Sequence, residues 1–322
     1  MLKLISKLNG TAPQYFIVSN TSLNFAIFAT GFTIKSNTME DKKATIIDLS
    51  AMAAKEDNNE VLIPYRKGMA WGYCNEKKEE VIDYVYESAD PFSEGLAVVR
   101  MEEKCGYIDK NDKLVIPYRY DYALPFKEGL APVEKKDRYG YINKSGNEVI
   151  PFRFNDAENF IDGLAIVEIR DKWGFIDKQG DVVIPCKFDM VAPFIDGVAF
   201  VELNGETKFI DKTGKFVDAP GDDVYYDGLT MDISEDGEKV GFKDRDGKQV
   251  VPQIYDAAMD FSEGMAAVCI DGKWGYINTE GTLVVPCIYD DYIDDFCDGL
   301  VLVELKDDFG YIDKNGVQYW ED

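Results

Sequence analysis

Trp173-Gly174-Phe175-Ile176-Asp177-Lys178-Gln179-Gly180 runs into Val182-Val183-Ile184-Pro185, then Phe188-Asp189, then Phe194-Ile195-Asp196-Gly197, then Val198-Ala199-Phe200-Val201-Glu202. Short runs of β-branched and aromatic residues alternate here with turn formers at close spacing, the pattern of a strand meander and not of a helix. Asp177 opens a type I turn, and Gly180 supplies the left-handed position that ends a three-residue hairpin loop. The following hairpin is signalled by Asn204-Gly205, a pair favoured in type I′ turns. The unit reads as three antiparallel strands joined by two tight turns.

Outward from this stretch the pattern repeats in both directions. Trp71-Gly72-Tyr73, Cys105-Gly106-Tyr107 and Tyr139-Gly140-Tyr141 precede it, and Val240-Gly241-Phe242, Trp274-Gly275-Tyr276 and Phe309-Gly310-Tyr311 follow. Gly72, Gly106, Gly140 and Gly174 fall 34 residues apart; one period on, the slot holds Lys208. Gly146, Gly214, Gly247, Gly281 and Gly316 match Gly180, with Asp112 in one copy and Lys78 in the first, where a strained or different turn is expected. The Trp slot also accepts Cys105, Tyr139, Val240 and Phe309, which points to packing and not to an aromatic binding face. Its Gly leaves room for another chain segment to cross closely.

Between meanders an acid-Gly pair opens each next strand: Glu94-Gly95, Glu128-Gly129, Asp162-Gly163, Asp196-Gly197, Asp227-Gly228, Glu263-Gly264 and Asp298-Gly299. Only one acid recurs per unit, so turn formation explains it better than calcium ligation, which needs several oxygen donors. The linker also holds an aromatic (Phe92, Phe126, Phe160, Phe194, Phe261, Phe296), placed as a plug between neighbouring units.

The fold class is therefore all-β: about eight tandem three-stranded repeats of about 34 residues over residues 61–322, the last one partial. An open solenoid-like stack is the first reading. A closed propeller-like ring is the alternative, against which three strands would make thin blades, since four are usual. Residues 1–60 lie outside the pattern, as a small mixed N-terminal cap or separate domain. Strands are expected there at Tyr15–Ser19 and Phe25–Ile34, and a helix over Met39–Lys55.

Trp-Gly-Tyr-Ile-Asp-Lys-x-Gly, then Val-Ile-Pro, then Tyr-Asp, then Phe-x-Glu-Gly-Leu-Ala-x-Val resembles the WG repeat family, also written KWG repeats. The resemblance runs from about Val61 to the C-terminus. It implies a β-rich repeat protein, mostly bacterial, without an established enzymatic activity, so no catalytic residues carry over.

Composition narrows the function. Sixty acids oppose 35 basic residues, net −25, a surface that repels phosphate backbones and anionic membrane faces. There is no histidine, which removes the commonest general base and the usual nucleophile-base pairs. The six cysteines include no Cys-x-x-Cys pair and occupy mostly unrelated repeat slots, as buried free thiols would. No catalytic residue, metal site or cofactor is expected. No secretory signal is visible, and a monomeric cytoplasmic protein is the default.

The expected function is a non-catalytic protein-interaction or scaffold role, with a protein or basic peptide as partner and neither nucleic acid nor membrane. A carbohydrate- or envelope-associated binding module is the alternative, and a hydrolase using carboxylates alone a more distant one. One copy is disturbed around Phe216 to Glu238, where Asp218-Ala219-Pro220-Gly221 replaces the Ile-Pro strand ending and acids crowd. Asp222, Asp223, Tyr225 and Tyr226 are the candidate partner contacts.

Overall fold

In the computed structural model the described residues are 61–321, except 196, 220–225 and 291–293, together with three strands nearer the N-terminus. The chain divides into two compact units, Met1–Glu60 and Val61–Asp322. In the first, Tyr15–Val18 pairs antiparallel with both Ala26–Ala29 and Ile46–Asp48. Ile46–Asp48 falls within the stretch expected to be helical, so strand replaces helix there. The rest of Met39–Lys55 lies outside the described residues.

The second unit is built from one repeated sheet. In the unit quoted above, Leu164–Glu168, Trp173–Asp177 and Val182–Phe188 form the antiparallel meander. A fourth strand of two residues, Asp156–Ala157, joins its first edge and comes from the preceding copy. This short strand occupies part of the linker between meanders, and it thickens the blade that three strands would leave thin. Among the described residues of this unit there are seven sheets of three or four strands, together with the hairpin Leu300–Leu305 and Asp308–Asp313.

The unit closes on itself, which corrects the open-stack reading in favour of the propeller-like ring. Trp320–Glu321 pairs parallel with the first strand, Ile63–Lys67, in the register Trp320 to Arg66 and Glu321 to Lys67. The Arg66 and Gly68 N–H groups donate to the carbonyls of Tyr319 (3.2 Å) and Glu321 (2.9 Å). One apolar cluster joins Leu62, Tyr65, Trp71 and Tyr73 to Leu300, Tyr311 and Tyr319 across the seam.

The curvature has a cause in side-chain size. The first strand of most copies carries a buried Ala-x-Val pattern (Ala97 and Val99, Ala131 and Val133, Ala165 and Val167, Ala199 and Val201, Ala266 and Val268), whereas second and third strands bury Tyr107, Ile116, Tyr141, Ile150 and Phe154. The turns entering first strands also converge. Lys127, before the third copy, reaches Cys297 and Asp298, before the eighth, at 3.6 and 3.3 Å. Small residues near the axis and large ones outside make wedges, and wedges set side by side bend into a ring.

The plug aromatics sit as expected. Phe92, Phe126, Phe160, Phe194, Phe261 and Phe296 each lie 4.8–5.0 Å, centroid to centroid, from the second-strand aromatic of the unit before. Where that partner is tyrosine its hydroxyl also donates to the linker, as in Tyr73 to Asp90 O (2.8 Å) and Tyr141 to Glu158 O (2.8 Å). The Trp slot is a packing position of varied depth: Trp71 and Cys105 are buried, Trp173 and Trp274 half-buried, and Phe309 exposed. Lys78 keeps the common turn at φ 62°, with the strain that a non-glycine residue carries there.

Candidate functional site

The polar residues that recur in every copy turn out to hold copies together. At the entry turns, acid and glycine both take positive φ, as in Glu128 (52°) and Gly129 (84°), and the flanking residues exchange hydrogen bonds across a two-residue type I′ loop. A left-handed Glu is unfavourable in itself. Its carboxylate, however, accepts the N–H of the glycine in the next entry turn: Gly129 to Glu94 (3.2 Å), Gly163 to Glu128 (3.1 Å), Gly264 to Asp227 (2.7 Å) and Gly299 to Glu263 (2.9 Å). The acids thus form a chain of contacts around the axis. Burial opposes ionisation of Glu94 and Glu263, yet Lys144, Lys314 and the donated N–H groups hold both carboxyls below their ordinary range.

On the opposite rim, the Asp that follows four of the third strands does similar work. Asp121, Asp189, Asp256 and Asp290 pair with Lys104, Lys172, Lys239 and Lys273 of their own blades. The second oxygen of each accepts an N–H from the next copy's hairpin turn: Lys136 (2.8 Å), Asn204 (2.5 Å), Asp271 (2.7 Å) and Lys306 (2.6 Å). The lysine and the turn N–H lower all four carboxyls. These turns extend the type I′ geometry beyond Asn204-Gly205, to Asp271-Gly272, Glu102-Glu103, Lys136-Asp137, Arg170-Asp171 and Lys306-Asp307. Sequence reading missed the inter-copy role of both acids, although their fixed spacing to the turns was the available signal.

A different set of acids lies in the linkers. Burial alone pushes Asp90 up to about 6, and burial with acidic neighbours raises Glu158, Asp260 and Asp295.

Of the candidate partner contacts, Asp222, Asp223 and Tyr225 lie outside the described residues. Tyr226 is half-buried against the Phe242–Phe261 cluster and exchanges backbone hydrogen bonds with Leu229 at an entry turn. Burial, then Asp260 and Asp295, push its phenol up. The disturbed copy is visible in its third strand, which is only Phe216–Val217, both residues exposed. All six cysteines are free; Cys74, Cys105 and Cys269 are buried, Cys186 and Cys287 half-buried, and Cys297 exposed, against the expectation of burial.

A ring of short-turned sheets bound copy to copy by its own repeated acids defines a propeller-like repeat protein. The WG containing repeat family matches residues 71–105, 106–139, 139–173, 173–206, 241–274 and 274–308, and the chain belongs to that family. The matches pass over residues 207–240, the disturbed copy. No curated protein matches the chain in sequence. Among solved structures it is similar to a eukaryotic initiation factor, at 10% identity and TM-score 0.47, covering 81% of this chain and 95% of that one. It is also similar to Hsv2p of Kluyveromyces lactis (11%, TM-score 0.36, 60% and 74%) and to dihydro-heme d1 dehydrogenase NirN in complex with DHE (12%, TM-score 0.40, 85% and 72%).

Proposed function

We propose that this chain is a non-catalytic interaction or scaffold protein whose ring offers its loop rims to a basic protein or peptide. The observation that carries the reading is the commitment of the recurrent polar side chains. Entry-turn acids and strand-end aspartates are engaged with neighbouring copies, so what varies from copy to copy is the loop surface, where repeat proteins meet partners. The excess of acid favours a basic partner and faster association with one. Exposed aromatics among the described residues, Tyr122, Phe216 and Phe309, lie on three separate sheets, which disfavours a carbohydrate platform.

Free thiols suit a reducing compartment, in keeping with a cytoplasmic protein. Affinity capture with the intact chain, eluted by increasing salt, tests the proposal. Basic proteins released below about 0.5 M salt are the expected catch, because a Debye length of only a few ångströms at such salt screens rim charges. Turnover of a glycoside or ester panel, with no protein captured, would overturn it.

A further inference from the structure

The entry-turn acids show what the ring seats upon them. The Lys144 ammonium donates to both the backbone carbonyl and the carboxylate of Glu94, each at 2.9 Å. Lys178 does the same at Glu128 (3.2 and 3.0 Å) and Lys314 at Glu263 (2.7 and 3.0 Å), while Lys212 reaches the Asp162 carboxylate at 3.2 Å. Each of these lysines follows the Asp or Asn that starts the turn after the second strand, 50 or 51 residues beyond its acid. Asp298 receives Lys127 from across the ring instead.

Asp227 breaks the series. The position that would supply its lysine is Thr279, in Asn278-Thr279-Glu280-Gly281. The turn is otherwise intact: Asp227 has φ 50°, Gly228 has φ 85°, and the Gly264 N–H lies 2.7 Å from Asp227 Oδ2. Asp227 is exposed, and among the described residues no cation pairs with it. Asp260 and Asp295 both push up the phenol of Tyr226, the residue before Asp227.

The geometry points to the Asp227 turn as an open seat for a lysine ammonium supplied by a partner chain. The seat offers a carboxylate and a carbonyl to a compact point donor, as the filled seats do, and arginine's planar fork is the poorer fit. The occupant is a lysine-bearing segment, and this inference rests on the proposed interaction role. An exposed ion pair alone is weak, so the seat sets register and selectivity within a wider contact.

The test uses the full chain and a fluorescein-labelled (Gly-Lys)5 peptide, read by anisotropy at low salt. Thr279→Lys fills the seat from within; it is expected to raise the melting temperature and to weaken peptide binding at least five-fold. Asp227→Asn keeps an acceptor for the Gly264 N–H and is expected to weaken binding similarly. Glu280→Lys changes the net charge by more, one residue off the seat, and is expected to weaken binding less than two-fold. Equal weakening by Thr279→Lys and Glu280→Lys would refute the seat while leaving a basic partner in place. Failure of the unaltered chain to bind the peptide would overturn both the seat and the basic-partner reading. An unchanged melting temperature in Thr279→Lys overturns the seat alone.

Discussion

Gly174 and Lys208 occupy the same slot and answer the same steric question in opposite ways. A Cβ on Gly174 would lie 2.5 Å from the Ile184 carbonyl oxygen and 2.7 Å from the Cys186 nitrogen, both backbone atoms that cannot swing aside. The cause is the register shift between Trp173–Phe188 and Phe175–Ile184, where the Ile-Pro segment bulges over the second strand. In the disturbed copy the third strand ends at Val217 after pairing only with Phe209 and Ile210, and among the described residues no paired strand crosses at Lys208. The glycine therefore marks a close crossing, made by the Ile82 and Asp83 carbonyls over Gly72 and by the Trp320 ring over Gly310 as well as by the Ile-Pro endings, and the disturbed copy, with Lys208 in the slot, lacks the Ile-Pro ending. Gly174→Ala should destabilise the ring by about 1–3 kcal/mol or more through overpacking, whereas Lys208→Ala should stay within about 0.5 kcal/mol. Scanning calorimetry on both variants checks this; equal melting temperatures would dismiss the crossing as the reason for the glycine.

Among the elements, turns were the most legible in sequence and the connections between copies the least. Asp177 and Gly180 announced their loop because the constraint is local: Asp177 Oδ1 accepts the N–H groups of Gln179 (3.0 Å) and Asp181 (2.9 Å), and Gly180 sits at φ 84°. The aromatic plugs were legible for a related reason, since one residue type kept one place. The fourth strand was not, because two residues such as Asp156–Ala157 carry no alternation to read. Closure was hidden too, depending on the summed tilt of all copies and on a few terminal residues. Arg66 shows what the seam demands: nearly buried, it donates from Nε to the Phe309 carbonyl and from Nη1 to the Gly68 carbonyl, both at 2.7 Å. Arg66→Ala removes both bonds, at about 1–3 kcal/mol for each acceptor left buried without one, and should lower the melting temperature more than the same change at exposed Arg138. Comparable losses at both sites would mean that the closing strand is held by something other than this arginine.

At the scale of the whole ring, two populations of carboxyls pull stability in opposite directions with pH. Asp90 is raised to about 6 by burial, and Glu158, Asp260 and Asp295 are raised as well. A carboxyl whose folded value exceeds its unfolded value of about 4 binds protons preferentially in the folded state. Its contribution is therefore fully present below about pH 4 and is lost as pH rises through the folded value. Asp121, Asp189, Asp256 and Asp290 are depressed by lysine and turn N–H groups, so their contribution is present above about pH 4 and is lost as pH falls through their folded values. Self-repulsion of a chain carrying a net charge of −25 adds to the first trend, since protonation relieves it. The melting temperature should accordingly rise as pH is lowered from 7 towards 5, pass a maximum, and fall below about pH 4. Asp90→Asn removes the linker carboxyl that burial pushes up to about 6, while the backbone carbonyl at that position still accepts the Tyr73 hydroxyl. It should raise the melting temperature at pH 7 and flatten the climb between pH 7 and 5. A steady decline from pH 7 downward in the unaltered chain would show that the rim aspartates, not the linker acids, govern the ring throughout.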